Sequence, residues 1–106
     1  MQMTIASRSA DLTQPIREHI RARLYAALDQ HASRINRVEV TIDDENGPRG
    51  GIDQVCRVVV RLTNGQTLHH VRRGIDLYAN VSLIADKAKR RVGRRIAKIK
   101  DRRKAA

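Results

Sequence analysis

The sequence predicts an α+β fold: a two-layer β-α-β-β-β-α domain with a four-stranded sheet and two helices on one face. Three observations carry this. Three segments alternate apolar and polar residues, the period of a half-buried strand. Two others repeat apolar residues at helical spacing. An Asn64-Gly65 pair follows the third of these, and Asn-Gly is a strong signal for a two-residue hairpin turn, which leads into a fourth strand.

The elements follow in order. Residues 2–7 form the first strand, with Met3 and Ile5 on one side and Gln2, Thr4 and Ala6 on the other. Thr13 before Gln14 and Pro15 is a helix start, with Thr as N-cap and Pro in the first turn. Ile16, Ile20, Leu24, Ala27 and Leu28 then recur at helical spacing, which predicts a helix over residues 14–31. Val38, Val40 and Ile42 mark a second strand. Residues 44–51, DENGPRGG, are rich in turn formers and read as a loop. Cys56, Val58, Val60 and Leu62 mark a third strand, and residues 66–73 a fourth, antiparallel to it. Gly74 ends that strand, and Asp76 is an N-cap for a long second helix. Its apolar stripe is Leu77, Val81, Ile84, Ala85, Ala88, Val92, Ile96 and Ile99, reaching about Arg102. Gly93 inside it costs about 1 kcal/mol relative to Ala and is read as a point where the helix frays. A right-handed crossover makes strands one and two parallel, and the remaining strands form a meander.

Charge is the unusual feature of these 106 residues. Twenty-two Lys and Arg face eleven Asp and Glu, a formal net charge of +11. Such an excess calls for a polyanionic partner, a nucleic acid or an anionic membrane. The membrane is disfavoured. No apolar run approaches the ~20 residues that span a bilayer, and the chain has neither the Trp nor the Phe that basic membrane-surface helices use. The first ten residues are too polar for a secretory signal. The single cysteine, Cys56, excludes an intramolecular disulfide, so a cytoplasmic location is expected.

Between Lys87 and Lys104 there are eleven basic residues and one acid, Asp101. At ~100° per residue, Lys87, Arg91, Arg94 and Lys98 fall on one flank of the apolar stripe, and Arg90 lies roughly opposite it. Lys89 and Lys100 sit on the other flank. Arg17 and Arg21 add a basic edge to the first helix, with Arg23 on its opposite edge. The basic edges of the two helices are expected to form a groove that tracks phosphates. A run of Lys and Arg is often only a solvated helix face. Here like charges stand at i, i+3 and i+4, each pair costing a few tenths of a kcal/mol, with few acids to relieve them. Neutralisation by a polyanion is the better reading. Tyr25 and Tyr78 are the only aromatics and both lie in helices, so no platform exists for stacking single-stranded bases. Recognition is expected to run through the phosphates and shape of folded RNA.

The segments IASRSADLTQPIREHIRARL at 5–24 and DLYANVSLIADKAKRRVGRRIAKIK at 76–100, separated by three strands, resemble the short ribosome hibernation-promoting factor and ribosome-associated translation inhibitor family. The likeness is strongest at Leu12, Thr13, Ile16 and Arg17, and at residues 76–79. It implies the fold above, binding to rRNA of the small ribosomal subunit, and inhibition of translation by occluding the mRNA and tRNA channel. It also implies rRNA contacts from Arg17, Arg23, Lys87, Arg90, Arg94 and Lys98. Asn80, Val81 and Ser82 depart from the family's usual Ala-Ile-Asp, and the GPRGG segment belongs to a divergent branch. No counterpart of the C-terminal domain by which long members pair ribosomes is present, so pairing by that route is not expected. Residues 1–101 are expected to form the one hibernation-factor-like domain, residues 102–106 a short basic tail, and the chain to act as a monomer.

Other chemistry is not expected. His69 and His70 are neighbours on a strand and point to opposite faces, so they do not share a metal. His19 and His31 are far apart on the first helix, and His31 reads as a partner of the helix dipole. Asp43, Asp44 and Glu45 are consecutive, whereas metal-dependent active sites gather carboxylates from separate elements. The glycines at 47, 50 and 51 lack the Lys-Ser/Thr ending of a phosphate loop. Cys56 occupies the inward phase of its strand and reads as a small buried hydrophobe. No enzyme activity, metal, cofactor or small-molecule substrate is expected. Two other functions fit the charge less well: a general double-stranded or structured RNA-binding module, and a regulator that binds an acidic protein.

Overall fold

The computed structural model describes residues 1–8, 12–46 and 52–105. Strand β1 spans Gln2–Ser7, helix α1 Gln14–Leu28, strand β2 Ile35–Asn46, strand β3 Ile52–Leu62, strand β4 Thr67–Gly74 and helix α2 Leu77–Ala105. A 3-10 turn, Asp29–Arg34, links α1 to β2. The sheet order is β1-β2-β3-β4, with β1 parallel to β2 and the other neighbours antiparallel. This is the predicted α+β architecture.

Cross-strand register lines up the buried face. Met3, Val38, Val60 and Leu68 form one row, and Ile5, Val40, Val58 and His70 the next. Both helices lay their apolar stripes on these rows. Ile16, Ile20, Leu24, Ala27 and Leu28 of α1 and Val81, Ile84, Ala85, Ala88, Val92 and Ile96 of α2 are buried together with them. Each fully buried Val, Leu or Ile contributes roughly 1.5–3 kcal/mol. A register shift between Ile35 and Arg37 adds a residue to β2. That bulge changes the inward phase, so Ile35 and Val38 face the core despite their odd spacing.

The two helices run parallel. His19 of α1 meets Tyr78, and Arg23 meets Asp86. Thr13 caps α1, its Oγ1 accepting from the Ile16 N–H at 3.4 Å, and Asp76 Oδ1 accepts from the Ala79 N–H at 3.2 Å. The β3–β4 hairpin turns through three residues, Thr63, Asn64 and Gly65, one more than the expected two. The Leu62 N–H donates to the Gln66 carbonyl at 2.8 Å and the Gly65 N–H to the Leu62 carbonyl at 3.1 Å. Only Gly65 takes a positive φ, +92°, which suits a residue without Cβ.

Four expectations about boundaries need correction. The α-helix ends at Leu28, and residues 29–34 tighten into a 3-10 turn that leads directly into β2. Residues 44–46 are not loop: Asp44 pairs with Gln54, Glu45 with Asp53 and Asn46 with Ile52. Arginines on β3 and β4 partner the acids of β2, so the strand extends past its apolar run. The rest of the predicted loop, 47–51, lies outside the described residues. Gly93 does not fray α2, which continues unbroken to Ala105, past the expected end near Arg102.

Asn80 is buried in the first turns of α2. Its Nδ2 donates to the carbonyls of Gln54 at 3.1 Å and Gly74 at 3.2 Å, tying α2 to the ends of β3 and β4. A Cβ on Gly74 would stand 2.8 Å from Asn80 Oδ1, so this close approach needs glycine. Asn80 occupies the position where an apolar residue would pack on the one preceding the helix cap. Ile75, that preceding residue, is left 84% exposed.

Two histidines are held neutral by the packing. His70 is 2% exposed and its Nδ1 donates to the Val58 carbonyl at 3.2 Å. Burial, aided by the nearby charges of Arg91, Lys87 and His69, pushes its pKa below the ordinary value. His31 lies against α2, where its Nε2 accepts from Gln30 at 3.0 Å. Burial and the charges of Lys100 and Lys89 lower its pKa, the reverse of what a dipole partner would show. Burial raises the Cys56 thiol to about 12.

Replacing Asn80 by Ala should cost about 1–3 kcal/mol in denaturant unfolding, because two partly buried carbonyls lose their donor. Gly74→Ala should destabilise the native sequence more than it destabilises the Asn80→Ala variant. Equal losses in both backgrounds would contradict the close-approach account. Gly93→Ala should add roughly 0.5–1 kcal/mol, since the new Cβ would meet only His31 Nε2 at an ordinary 3.5 Å. For His70 the folded chain refuses a proton that the unfolded chain accepts. Its contribution is therefore fully present above the unfolded value of about 6.5 and is lost as the pH falls through it. Thermal unfolding should shift to lower temperature between pH 7.5 and 5.5, with a shallower slope in His70→Leu. An unchanged slope would exclude His70 as a source.

Candidate nucleic-acid interface

The basic surface is built on α2, whose apolar stripe sets the direction of every other side chain. With the stripe on the sheet, one flank turns to α1 and the other to the edge strand β4. On the α1 flank, Arg23 donates to Asp86 Oδ1 at 3.1 Å and to the Ser82 carbonyl at 3.4 Å. Lys89 and Lys100 lie on that flank, near enough for their charges to act on His31.

The β4 flank carries Lys87, Arg91, Arg94 and Lys98. Arg91 Nη1 donates to the His69 carbonyl at 2.7 Å. Arg91, Arg94, Arg95 and Lys98 line one cleft beside Leu68. The charges of Lys87 and Arg91 act on His70 of β4, which places both beside that strand. Arg90 is exposed on the outward side. Lys87, Arg90, Arg94 and Lys98 are exposed and make no hydrogen bond or ion pair among the described residues. The ridge predicted from the helical wheel is thus assembled on one side of the molecule.

The three arginines of α1 do not join it. Arg23 is half-buried in the seam between the helices and paired with Asp86. The rest of that seam holds the His19–Tyr78 ring pair, with centroids 4.7 Å apart, and His19 Nε2 lies 3.4 Å from the Tyr78 carbonyl. Since Arg23 and His19 face α2, the ~100° step places Arg17 and Arg21 on the other side of α1's buried stripe. Neither side chain makes a hydrogen bond or ion pair among the described residues. The expected groove between two basic helix edges is therefore replaced by two outward-facing basic flanks, separated by a seam that is closed by contacts.

Two cations escaped the sequence reading. Arg95 falls near the apolar stripe by phase, yet its Nη1 reaches Gln66 Oε1 at 3.0 Å beside the hairpin. A long side chain can run along apolar surface and still bring its charge to the rim, and that was the available signal. Arg102 lines a second cleft with Arg95 and Lys98.

The open face of the sheet is different. Arg61 pairs with Glu39 at 2.7 Å, Arg57 with Asp43 and Glu45 at 3.1 and 3.2 Å, and Arg73 with Glu45 at 2.7 Å. These partners hold the Glu39 and Glu45 carboxyls below their ordinary range. Asp43 and Glu45 thus serve cross-strand pairing. Among the described residues no group of three or more His, Cys, Asp or Glu side chains gathers in a way that could hold a metal. No described helix is long and apolar enough to cross a membrane.

Comparison with known proteins follows the same lines. The chain is similar to the ribosome hibernation promoting factor of Escherichia coli K12, 31% identical over 100 residues, covering 94% of this chain and 98% of that one. Its fold is similar to a ribosomal subunit interface protein from Coxiella burnetii, with a TM-score of 0.78, 16% identity and 92% and 99% of the two chains covered. It is also similar to the N-terminal domain of Thermus thermophilus Protein Y, with a TM-score of 0.71, 21% identity and 89% and 98% covered. A family model described as sigma 54 modulation protein / S30EA ribosomal protein matches residues 3–104, and by that match over nearly its whole length the chain belongs to this family.

Proposed function

We propose that this chain is a ribosome hibernation factor that binds rRNA of the small ribosomal subunit and inhibits translation by occluding the mRNA and tRNA channel. The observation that carries the reading is the uncompensated ridge of Lys87, Arg90, Arg94 and Lys98 on the outer side of α2. The hibernation role of its E. coli relative supports the choice of the ribosome as the partner. No bond is made or broken in this mechanism, and no enzyme chemistry, metal or cofactor enters it. The protein fills a space and is held there by phosphates.

Each residue has a stated part. Lys87, Arg90, Arg94 and Lys98 meet phosphates directly, and Arg91 holds the edge strand while keeping donors for the RNA. Arg17 and Arg21, on the far flank of α1, meet a separate stretch of rRNA. Arg23 stays within the helix seam and presents its remaining donors at the edge. The unit that binds is the domain of residues 1–101 together with the last turn of α2, which carries the basic surface onward through Arg102 where a separate tail was expected. The protein acts as a monomer in the cytoplasm.

The variant Lys87→Glu/Arg90→Glu/Arg94→Glu should lose co-sedimentation with small ribosomal subunits while its circular dichroism and unfolding midpoint stay close to the native values. Arg91 is left intact because it braces β4. For the native chain, log affinity should fall with log salt at a slope of roughly −0.7 to −0.9 per phosphate contact. Unchanged sedimentation of the variant would sink the reading. Equal affinity for free duplex RNA and for subunits would replace it with a general RNA-binding role.

A further inference from the structure

Two clefts adjoin along the β4 flank of α2. The first, about 230 Å³, is lined by Arg91, Arg94, Arg95 and Lys98 with Leu68. The second, about 290 Å³, is lined by Arg95, Lys98 and Arg102 with Gln66 and Ile99. Arg95 and Lys98 belong to both, so the clefts form one trough. Five cations and no carboxylate line it. A cleft of about 260 Å³ on the sheet face shows the contrast: there Arg8 and Arg57 stand with Asp43 and Glu45. Arg57 is paired to both acids of that cleft.

The five cations fall into two groups. Arg91 and Arg95 are half-buried and anchored, each donating one bond to the protein, to the His69 carbonyl at 2.7 Å and to Gln66 Oε1 at 3.0 Å. A guanidinium has five N–H donors, so each keeps several for a ligand while its position is set in advance. Arg94, Lys98 and Arg102 are exposed and have no partner among the described residues. They follow one another at every fourth residue, about 6 Å apart along the helix axis. One small anion would satisfy one or two of the five. A chain of neighbouring phosphates would reach all of them, with charge-assisted hydrogen bonds to planar arginine donors.

The geometry points to this trough as a binding site for a run of closely spaced phosphates, with Arg91 and Arg95 as fixed donors and Arg94, Lys98 and Arg102 closing from the rim. Only the source of those phosphates rests on the function proposed above. A sharply folded RNA strand and a free oligophosphate offer the same chemistry.

Inorganic tripolyphosphate, titrated calorimetrically into the full chain, tests the site. It should bind saturably and at least tenfold more tightly than sulfate at equal ionic strength. Arg94→Gln/Lys98→Gln should weaken it at least tenfold. Lys89→Gln/Lys100→Gln, which removes the same charge from the opposite flank, should leave it within about twofold. Circular dichroism and unfolding midpoints establish that both variants are folded. Tripolyphosphate binding no tighter than sulfate, or equal losses in the two variants, would overturn the site. Co-sedimentation then separates the sources. If Arg94→Gln/Lys98→Gln also loses small subunits, the phosphates are those of RNA; if it keeps them, the trough takes a free oligophosphate. A native chain that binds tripolyphosphate but never sediments with subunits would refute the proposed function and leave the site standing.

Discussion

Burial of the α2 apolar stripe against the sheet is the contact on which the rest of the molecule depends. Ala85 and Ala88 are fully buried within it, and such small side chains let the helix lie close to β3 and β4. Val81, Val92 and Ile96 lock the rotation of the helix about its axis. Once that rotation is set, every cation on α2 has a fixed direction. The Asn80 contacts to Gln54 and Gly74 set the axial position in the same way. A helix so rich in like charge is poorly stabilised by its own surface, and tertiary packing supplies what the surface lacks.

The fold sorts the charges by layer. Acids of β2 meet arginines of β3 and β4 on the open face, and Asp86 takes Arg23 at the helix seam. Among the described residues, Lys87, Arg90, Arg94, Lys98 and Arg102 stay unpaired on the outer side of α2, and Arg17 and Arg21 on the far flank of α1. Exposed pairs of the kind seen on the sheet contribute little to stability, about 0–1 kcal/mol each. Their larger effect is on the field: they neutralise one face and leave another strongly positive. A polyanion is thereby steered to the helices and away from the sheet.

The neutral state of His70 belongs to the same arrangement. The ring lies in the buried row of an edge strand, with Lys87 and Arg91 of the helix nearby. Its Nε2 has no hydrogen-bond partner among the described residues. The cationic flank therefore raises the cost of placing a proton there, and acidification works against the packing that orients that flank.

Local periodicity was enough to read five of the six elements and the residues of both helix stripes, since burial on one face imposes a period of two or 3.6 on any chain, and the Asn64-Gly65 turn signal supplied β4. The ridge of Lys87, Arg91, Arg94 and Lys98 was legible for the same reason: it lies on one continuous helix, where angle follows from residue number. The fates of Arg23, Arg95 and the acids at 43–45 were not legible, because each was decided by a partner far away in the chain. Asp86 closes on Arg23, Gln66 draws out Arg95, and Arg57 and Arg73 turn an apparent loop into strand. The sequence by itself determined what kind of domain forms and how charge is distributed along each helix. Only the tertiary structure decided which cations stay free and that the two helix edges face apart, because pairing across the fold depends on distance in space, which spacing along the chain does not carry.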